Sequence, residues 1–246
     1  MSLKRLMIWP DSHIPYHDKR AFKLVHKVAK DFKPDTIVLQ GDFADFFCVS
    51  SHSKNPNRRN NLESEVEAVN AELDKLDALG AREKIYVSGN HEDRLERYLM
   101  DKAPELFNVV KIPQLFNLKE RGWKYVPYKS DTRVGKLNLT HDCGSAGRNA
   151  IFNALGTYQH NIAIGHTHRL AYIVEGNAHG ETHVGASFGW LGDAKQADYM
   201  HRVRAARDWA QGFGIGYLDT NTGTVYLVPV PIINYTVVVE GKQYRG

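Results

Sequence analysis

Short apolar strands alternate with amphipathic helices in the first ninety residues, and this order restricts the chain to a small group of folds. Leu3 to Trp9, Thr36 to Leu39 and Ile85 to Val87 are apolar runs of strand length. Apolar residues recur at helical spacing from Ala21 to Ala29, and a longer stripe of the same kind runs from Leu62 to Leu79. The order strand, helix, strand, helix, strand predicts parallel β-α-β units.

The second half of the chain has more strands and shorter connections. Further strands are predicted at Trp123 to Val126, Val134 to Thr140 and Ile162 to Ile164. Hairpins are predicted around the turn sequences Gly176-Asn177 and Asn221-Thr222-Gly223. Helices are predicted to begin near Ala146 and to cover roughly Ala197 to Ala210. Because no repeat, low-complexity tract or linker interrupts the chain, we predict a single domain over residues 1–246, with two sheets covered by helices.

The composition excludes several classes of protein. Hydrophobic residues make up 42% and charged residues 24%, which excludes disorder, coiled coil and collagen. The longest apolar stretch, Thr224 to Val239, is interrupted by polar Asn234 and by prolines, and the N-terminal basic pair precedes only four apolar residues. We therefore expect no membrane association and no signal peptide. Cys48 and Cys143 make no disulfide framework, so we expect a cytoplasmic protein, and the sequence assigns no role to Cys143.

Polar residues that a turn does not require follow each strand of the first half. The three strands end in Asp11-Ser12-His13, in Gly41-Asp42-Phe43-Ala44-Asp45 and in Gly89-Asn90-His91-Glu92. Two predicted strands of the second half end in His141-Asp142 and in Gly165-His166-Thr167-His168. Ligands of open α/β sheets bind beyond the carboxyl ends of the strands, so we predict that these side chains collect at one edge.

These imidazole, carboxylate and amide groups predict a transition-metal site. Mixed nitrogen and oxygen ligands suit Mn, Fe, Zn or Co, whereas Mg and Ca prefer oxygen alone. Seven candidate ligands are too many for one tetrahedral ion but suffice for two ions that share a carboxylate. We expect two divalent ions, with Mn²⁺ as the first choice and Fe, Zn, Ni or Co as alternatives.

The same residues form five motif blocks that resemble the calcineurin-like metallophosphoesterase superfamily. That family carries D-x-H, G-D-x-x-D, G-N-H-[DE], a lone H and G-H-x-H, and all five blocks are present here in order between residues 11 and 168. Each block alone is a weak signal, but five in order, each after a predicted strand, are specific. The resemblance implies an α/β fold, a four-layer αββα sandwich of two mixed β-sheets flanked by helices.

The resemblance also implies a role for each residue of the site. The first metal would be bound by Asp11, His13 and His168, the second by Asn90, His141 and His166, and both would be bridged by Asp42. Asn90 and His91 would also contact the substrate phosphate, His91 is the candidate proton donor, and Asp45 would orient its ring. Arg148, near the start of the helix predicted after His141, is a further candidate for binding phosphate, since helix N-termini favour anions.

The implied reaction is hydrolysis of a phosphoester by a hydroxide that bridges the two metal ions. A diester leaves a poor alkoxide, so a proton donor such as His91 favours a phosphodiesterase that acts on DNA, RNA or nucleotides. A basic loop with Lys54, Arg58 and Arg59 and a net charge of +4 favour the same substrates. The alternatives are a phosphomonoesterase acting on small metabolites, nucleotides or phosphoproteins, and a non-catalytic scaffold of the same fold.

Other arginines and aromatic residues carry weaker predictions. Arg94 and Arg97 share a helix face, and we predict that this face is solvated and ion-paired rather than a phosphate clamp. Late in the chain, aromatic residues lie near an arginine cluster: Phe188, Trp190, Tyr199 and Trp209 beside Arg202, Arg204 and Arg207. We predict that these aromatic residues belong to the core, because a net charge of +4 is small for a nucleic-acid binder.

Overall fold

The computed structural model describes residues 3–51, 54, 61–196 and 208–246. The strands in this part of the chain are β1 (Leu3–Trp9), β2 (Thr36–Gln40), β3 (Glu83–Val87), β4 (Trp123–Val126), β5 (Thr132–Val134), β6 (Leu137–Thr140), β7 (Ile162–Ile164), β8 (Leu170–Gly176), β9 (Thr182–Phe188), β10 (Gly212–Asp219), β11 (Val225–Pro231), β12 (Thr236–Val239) and β13 (Lys242–Arg245). The α-helices are α1 (Lys19–Phe32), α2 (Leu62–Asp77), α3 (Glu92–Lys102), α4 (Ile112–Leu115) and α5 (Ala150–Tyr158).

The strands form two large mixed sheets and one small sheet. The first sheet has the order β11-β10-β1-β2-β3-β4, in which β1 to β4 run parallel and β10 and β11 pair antiparallel at one edge. The second sheet has the order β5-β6-β7-β9-β8, with a parallel centre of β6, β7 and β9. Strands β12 and β13 form a separate hairpin. The predicted parallel β-α-β units and both predicted hairpins are confirmed.

The two large sheets pack face to face, with helices on their outer faces. Successive side chains of a strand point to opposite faces. The last four residues of β1 are buried, so this part of the strand is covered on both faces. Leu6 and Ile8 face the second sheet and pack in one cluster with Leu139 of β6. Met7 and Trp9 point the other way, into the core cluster that includes residues of α1 and α2. Helix α5 covers the outer face of β7 with a third cluster. The predicted four-layer αββα sandwich is therefore confirmed.

Two predicted elements differ from the structure or lie outside it. The single strand predicted over Val134 to Thr140 is wrong, because the chain turns at Gly135, whose φ is 55°, and β5 and β6 pair antiparallel around it. The helix predicted over roughly Ala197 to Ala210 falls almost entirely outside the described residues. The single domain over residues 1–246 stays a prediction. No helix in the described part of the chain is long and apolar enough to cross a membrane.

Candidate metal centre

The loops after five strands bring the predicted ligands to one edge of the sandwich. Strands β1, β2 and β3 are parallel neighbours in the first sheet, and β6 and β7 are parallel neighbours in the second. Their carboxyl ends therefore lie side by side, as the strand pattern predicts. The loops that follow them carry Asp11 and His13, Asp42 and Asp45, Asn90 and His91, His141, and His166 and His168.

A first ligand group consists of Asp11, His13, Asp42 and His168. One potential ligand atom from each lies within 4.8 Å of the others, and all four residues are buried. The Nε2 atoms of His13 and His168 face each other at 3.1 Å. Asp11 Oδ1 lies 3.5 Å from His168 Nε2, while Asp11 Oδ2 is buried without a hydrogen-bond partner. A buried carboxylate oxygen without a donor is costly unless a cation faces it.

A second ligand group consists of Asp42, His141 and His166, with Asn90 beside them. His141 Nε2 lies 3.4 Å from Asp42 Oδ2 and 3.0 Å from Asn90 Oδ1. His166 Nδ1 lies 2.8 Å from the same amide oxygen. Asp42 thus belongs to both ligand groups, which is the position of a carboxylate shared by two ions.

The backbone at several of these residues is strained. His13, Asp42, His166 and His168 have φ values of 55°, 48°, 64° and 54°, in the left-handed region that residues other than glycine seldom adopt. Such a conformation costs about 1–3 kcal/mol per residue and persists only where neighbouring contacts enforce it. One such contact is the 3.0 Å hydrogen bond from His166 N to Asp11 Oδ1. Strain of this kind clusters at functional sites.

Glycine is required where the ligand loops pass closest to one another. A Cβ at Gly165 would lie 2.6 Å from the carbonyl oxygen of Gln40 and 2.8 Å from His141 Nδ1. Gly41 has a φ of 87°, and a Cβ there would overlap the His141 ring. Two of the motif glycines therefore leave room for the ring of a candidate ligand.

Contacts outside the ligand groups fix the orientation of the imidazole rings. His141 donates from Nδ1 to the carbonyl oxygen of Gln40 at 2.9 Å, which leaves Nε2 facing Asn90 and Asp42. Asp45 Oδ2 lies 3.2 Å from His13 Nδ1 and 3.1 Å from His91 Nδ1. Partners of this kind set the tautomer of a metal-binding histidine.

Glu92 is a structural residue of the site to which the sequence analysis gave no role. Its buried carboxylate accepts hydrogen bonds from Asp42 N at 3.0 Å, Gly89 N at 2.7 Å, Ala44 N at 2.8 Å and the Tyr86 hydroxyl at 2.9 Å. It therefore ties the loop after β2 to the loop after β3. The sequence did carry one indication that Glu92 belongs to the site, since it is the last residue of the third motif block.

Burial and mutual attraction compete in setting the pKa values of the cluster. Burial alone would raise the pKa of Asp42, but the neighbouring His141 and His91 hold it well below the usual range. Burial would lower the pKa of His141, but the Asp42 carboxylate outweighs it and raises that pKa to about 10. The Asp42 carboxylate is thus ionised next to a His141 ring that carries a proton. A divalent ion bound at His141 Nε2 would replace that proton, so metal uptake would release it.

The residues present fit a pair of divalent ions. Imidazole nitrogens, carboxylate oxygens and one amide oxygen make a donor set typical of transition metals. The unpartnered Asp11 Oδ2 and the facing nitrogens of His13 and His168 are arrangements that a cation stabilises. The buried Asp and His groups can therefore hold metal, with Asp42 common to both positions.

The structure describes the contacts of three arginines named in the sequence analysis. Arg148 is 76% exposed and bonds both oxygens of Asp208, at 2.8 and 2.6 Å, and α5 begins only at Ala150. None of the contacts that the structure describes for Arg148 reaches a ligand group. The solvated position predicted for Arg94 is wrong, because its side chain is only 13% exposed and contacts Asp45. Arg97 is 56% exposed and pairs with Asp93 at 2.8 Å, as predicted for that face.

The two basic clusters fall mostly outside the described residues, whereas three of the aromatic residues near the second cluster lie within them. Arg58 and Arg59 lie outside the described part of the chain, as do Tyr199, Arg202, Arg204 and Arg207. Phe188 and Trp190 are buried, which confirms their predicted place in the core. Trp209 is instead only partly buried, with its ring centroid 4.2 Å from that of His168. Trp190 stacks on the ring of His168 with centroids 5.0 Å apart. Both cysteines are unpaired, and Cys143 packs against the apolar cluster of α5.

Comparison with known proteins agrees with this geometry. The Gene 54 proteins of Mycobacterium phages D29 and L5 are each 25% identical to this chain, with 92% of this chain and 94% of each relative covered. Vacuolar Protein Sorting 29 from Cryptosporidium parvum has a similar fold, with a TM-score of 0.50 at 14% identity over 98% of this chain and 94% of that one. A family model for calcineurin-like phosphoesterases matches residues 5–218. The chain therefore belongs to the calcineurin-like phosphoesterase family.

Proposed function

We propose that this chain is a phosphodiesterase that acts on nucleic acid or nucleotides with the help of two divalent metal ions. The observation that carries the proposal is the position of Asp42, whose carboxylate belongs to both ligand groups. Two ions that share a carboxylate lie close enough to act on one phosphoryl group together. Membership of the calcineurin-like phosphoesterase family supports the more general conclusion that the chain is a metal-dependent phosphoester hydrolase.

The ligand groups divide between the two ions. We assign Asp11, His13 and His168 to the first ion, Asn90, His141 and His166 to the second, and Asp42 to both. When bound, the ions supply Lewis acidity toward the phosphoryl oxygens and make water acidic enough to attack phosphorus near neutral pH. The protein residues hold the donor atoms in place beforehand, since Gln40 and Asp45 orient the rings of His141 and His13.

His91 is assigned to the leaving group of the substrate. Its Nδ1 is held by Asp45, and its Nε2 lies 3.7 Å from Asp42 Oδ2, so this nitrogen faces the reaction centre. Burial lowers the pKa of His91 to about 4. An anionic phosphate beside the ring raises that pKa, which lets Nε2 donate a proton to the departing oxygen. A diester depends on this transfer because an alkoxide is a poor leaving group.

Three finer assignments accompany the proposal. We assign Mn²⁺ as the native ion, ahead of Fe, Zn, Ni or Co, because the donor set mixes carboxylates with imidazoles. The absence of a disulfide framework favours a cytoplasmic location. Asn90 serves a second purpose in this arrangement, since its amide lies at the edge of the second ligand group where a phosphate would bind.

The test compares hydrolysis of bis-p-nitrophenyl phosphate with hydrolysis of p-nitrophenyl phosphate. Chelated protein is resupplied with Mn²⁺, Ni²⁺, Co²⁺, Zn²⁺ or Mg²⁺, and the preferred ion is then used with DNA, RNA and cyclic nucleotides. We expect the diester to be preferred, and Asp42→Asn to abolish both activity and metal retention. Asp74→Asn, on the solvent-exposed face of α2, is the matched control and should behave as wild type.

Three results would contradict the proposal in different ways. Preference for the monoester would make the chain a phosphomonoesterase. Hydrolysis of neither ester by protein that retains two ions would favour a non-catalytic scaffold. Near wild-type turnover by Asp42→Asn would remove the assigned metal site itself.

A further inference from the structure

Arg94 is a cationic side chain at the metal centre to which no part of the proposed reaction assigns a role. It lies on the first turn of α3 and is only 13% exposed. Its guanidinium lies within hydrogen-bond distance of Asp45 and His91, two residues that contact the ligand groups. Burial of a guanidinium is costly unless it is paired, so the partners of this partly buried cation bear on its role.

One edge of the guanidinium is anchored to the protein. Arg94 Nη1 donates to the carbonyl oxygen of Asp45 at 3.1 Å and lies 3.3 Å from the Asp45 carboxylate. Asp45 also contacts His13 and His91, so the arginine is held to a residue that itself orients the site. The anchor fixes the direction of the remaining donors.

The other edge of the guanidinium points toward the reaction centre. Arg94 Nη2 lies 2.8 Å from His91 Nε2, and that same nitrogen lies 3.7 Å from Asp42 Oδ2. Only the edge of one imidazole ring therefore separates the guanidinium from the carboxylate shared by the ligand groups. A guanidinium nitrogen can only donate, so His91 Nε2 is the acceptor in this contact.

An anionic oxygen is a better partner for this edge than a neutral ring. A hydrogen bond from a guanidinium to a phosphate oxygen joins two ionised groups, so attraction between opposite charges adds to the bond. Phosphoryl transfer places negative charge on the non-bridging oxygens, and nearby cations stabilise that charge. A phosphate oxygen that accepts from Nη2 would also release His91 Nε2 from the arginine, which the proton transfer to the leaving group requires.

We propose that Arg94 binds a non-bridging oxygen of the substrate phosphate through Nη2 while Asp45 holds Nη1. This assignment rests on the proposed function and adds a substrate-binding residue to it. Arg148, the candidate predicted from the sequence, is exposed and donates from Nε and Nη2 to Asp208. Arg94 offers instead a partly buried donor beside the ligand groups.

The test measures binding of inorganic phosphate to the full-length protein loaded with Zn²⁺. Arg94→Gln should weaken phosphate binding about tenfold or more in calorimetry. The phosphate affinity of Arg94→Lys should fall between that of Arg94→Gln and that of wild type, because lysine keeps the charge but lacks the planar set of guanidinium donors. Arg97→Gln is the matched control, since Arg97 lies one turn further along α3 and pairs with Asp93 in solvent. Its phosphate affinity should stay within about twofold of wild type. Metal content and thermal midpoint are recorded for each variant.

A second measurement covers the case in which Arg94→Gln loses metal or stability. The guanidinium signal of Arg94 is followed by ¹⁵N NMR in wild-type protein loaded with Zn²⁺, and it is assigned by its absence from Arg94→Lys. Saturating phosphate should shift this signal and leave that of Arg97 unchanged. An unmoved Arg94 signal, or a stable Arg94→Gln protein with wild-type phosphate affinity, overturns the assignment.

The same data separate this assignment from the proposed function. Wild-type protein that binds phosphate and hydrolyses phosphoesters, together with variants of Arg94 that do both equally well, would remove Arg94 alone. Wild-type protein that retains two ions but neither binds phosphate nor hydrolyses an ester would overturn the proposed function, and the role of Arg94 with it.

Discussion

Replacement of Glu92 by Gln tests whether one buried carboxylate holds the ligand loops together. The carboxylate faces four donors, with Asp42 N and Gly89 N on Oε2, and Ala44 N and the Tyr86 hydroxyl on Oε1. A Gln side chain keeps one oxygen but places an NH₂ group where the other stood. We therefore expect Glu92→Gln to destabilise the protein and to weaken its binding of metal.

The size of the effect follows from the donors that lose an acceptor. The amide oxygen is best placed toward Asp42 and Gly89, because the Tyr86 hydroxyl can rotate and accept from the NH₂ group. The backbone N–H of Ala44 then faces another donor, which costs about 1–3 kcal/mol. Loss of charge on the remaining bonds adds about 1 kcal/mol. We expect the free energy of unfolding to fall by about 2–4 kcal/mol.

The assay is urea unfolding at pH 8, together with calorimetric titration of Zn²⁺. Burial and the Asp42 carboxylate raise the pKa of Glu92 to about 7, so pH 8 keeps the wild-type side chain ionised. Zn²⁺ affinity should drop about 10–100-fold, because Glu92 fixes the backbone of the shared ligand. Glu96→Gln, one turn further along α3, is the control. Unfolding within about 0.5 kcal/mol of wild type with unchanged Zn²⁺ affinity would refute the reasoning.

Three further substitutions test other parts of the molecule. His91→Ala should retain both ions and slow hydrolysis of a dinucleotide about 10²-fold, with a smaller loss on bis-p-nitrophenyl phosphate; equal losses would exclude proton donation. Gly165→Ala should reduce Zn²⁺ affinity in calorimetry, because its Cβ would lie 2.8 Å from His141 Nδ1, and unchanged affinity would show that this ring moves freely. Burial lowers the pKa of His26 from 6.5 to about 4, so the folded protein keeps a neutral ring where the unfolded chain takes up a proton. Stability should therefore fall as the pH drops from about 6.5 to about 4, by up to about 3 kcal/mol, and His26→Leu should flatten this slope in urea unfolding.

The strands were the most predictable part of the fold, because both faces of the central strands are buried. Such strands are continuous apolar runs that end abruptly at polar or turn residues. The bounds predicted for β1, Leu3 to Trp9, and for β4, Trp123 to Val126, agree with the structure. The turn at Gly135 was missed because a lone glycine between apolar residues is compatible with one strand as well as with a hairpin.

The candidate ligands were predictable for a different reason, since each follows a strand and parallel strands end at a common edge. The contacts of Arg94 and Glu92 were not predictable in this way. Helical spacing shows which residues share a face of α3, but not which loop that face meets. Arg94 reaches Asp45 and Glu92 reaches Asp42, partners 49 and 50 residues away in the sequence. Such contacts depend on tertiary packing, which periodicity does not encode.

The second ligand group depends on the packing of the two sheets against each other. His141, at the end of β6, donates to the carbonyl oxygen of Gln40 at 2.9 Å, and the Gln40 side chain donates back to the Thr140 carbonyl oxygen at 3.3 Å. These reciprocal bonds join the end of β2 to the end of β6, beside the place where Asp42 meets His141. The apolar cluster between the sheets holds both strands in the same relation. Metal affinity and the packing of the sheets are therefore linked. An ion bound by both Asp42 and His141 stabilises only the arrangement in which the ends of β2 and β6 lie side by side.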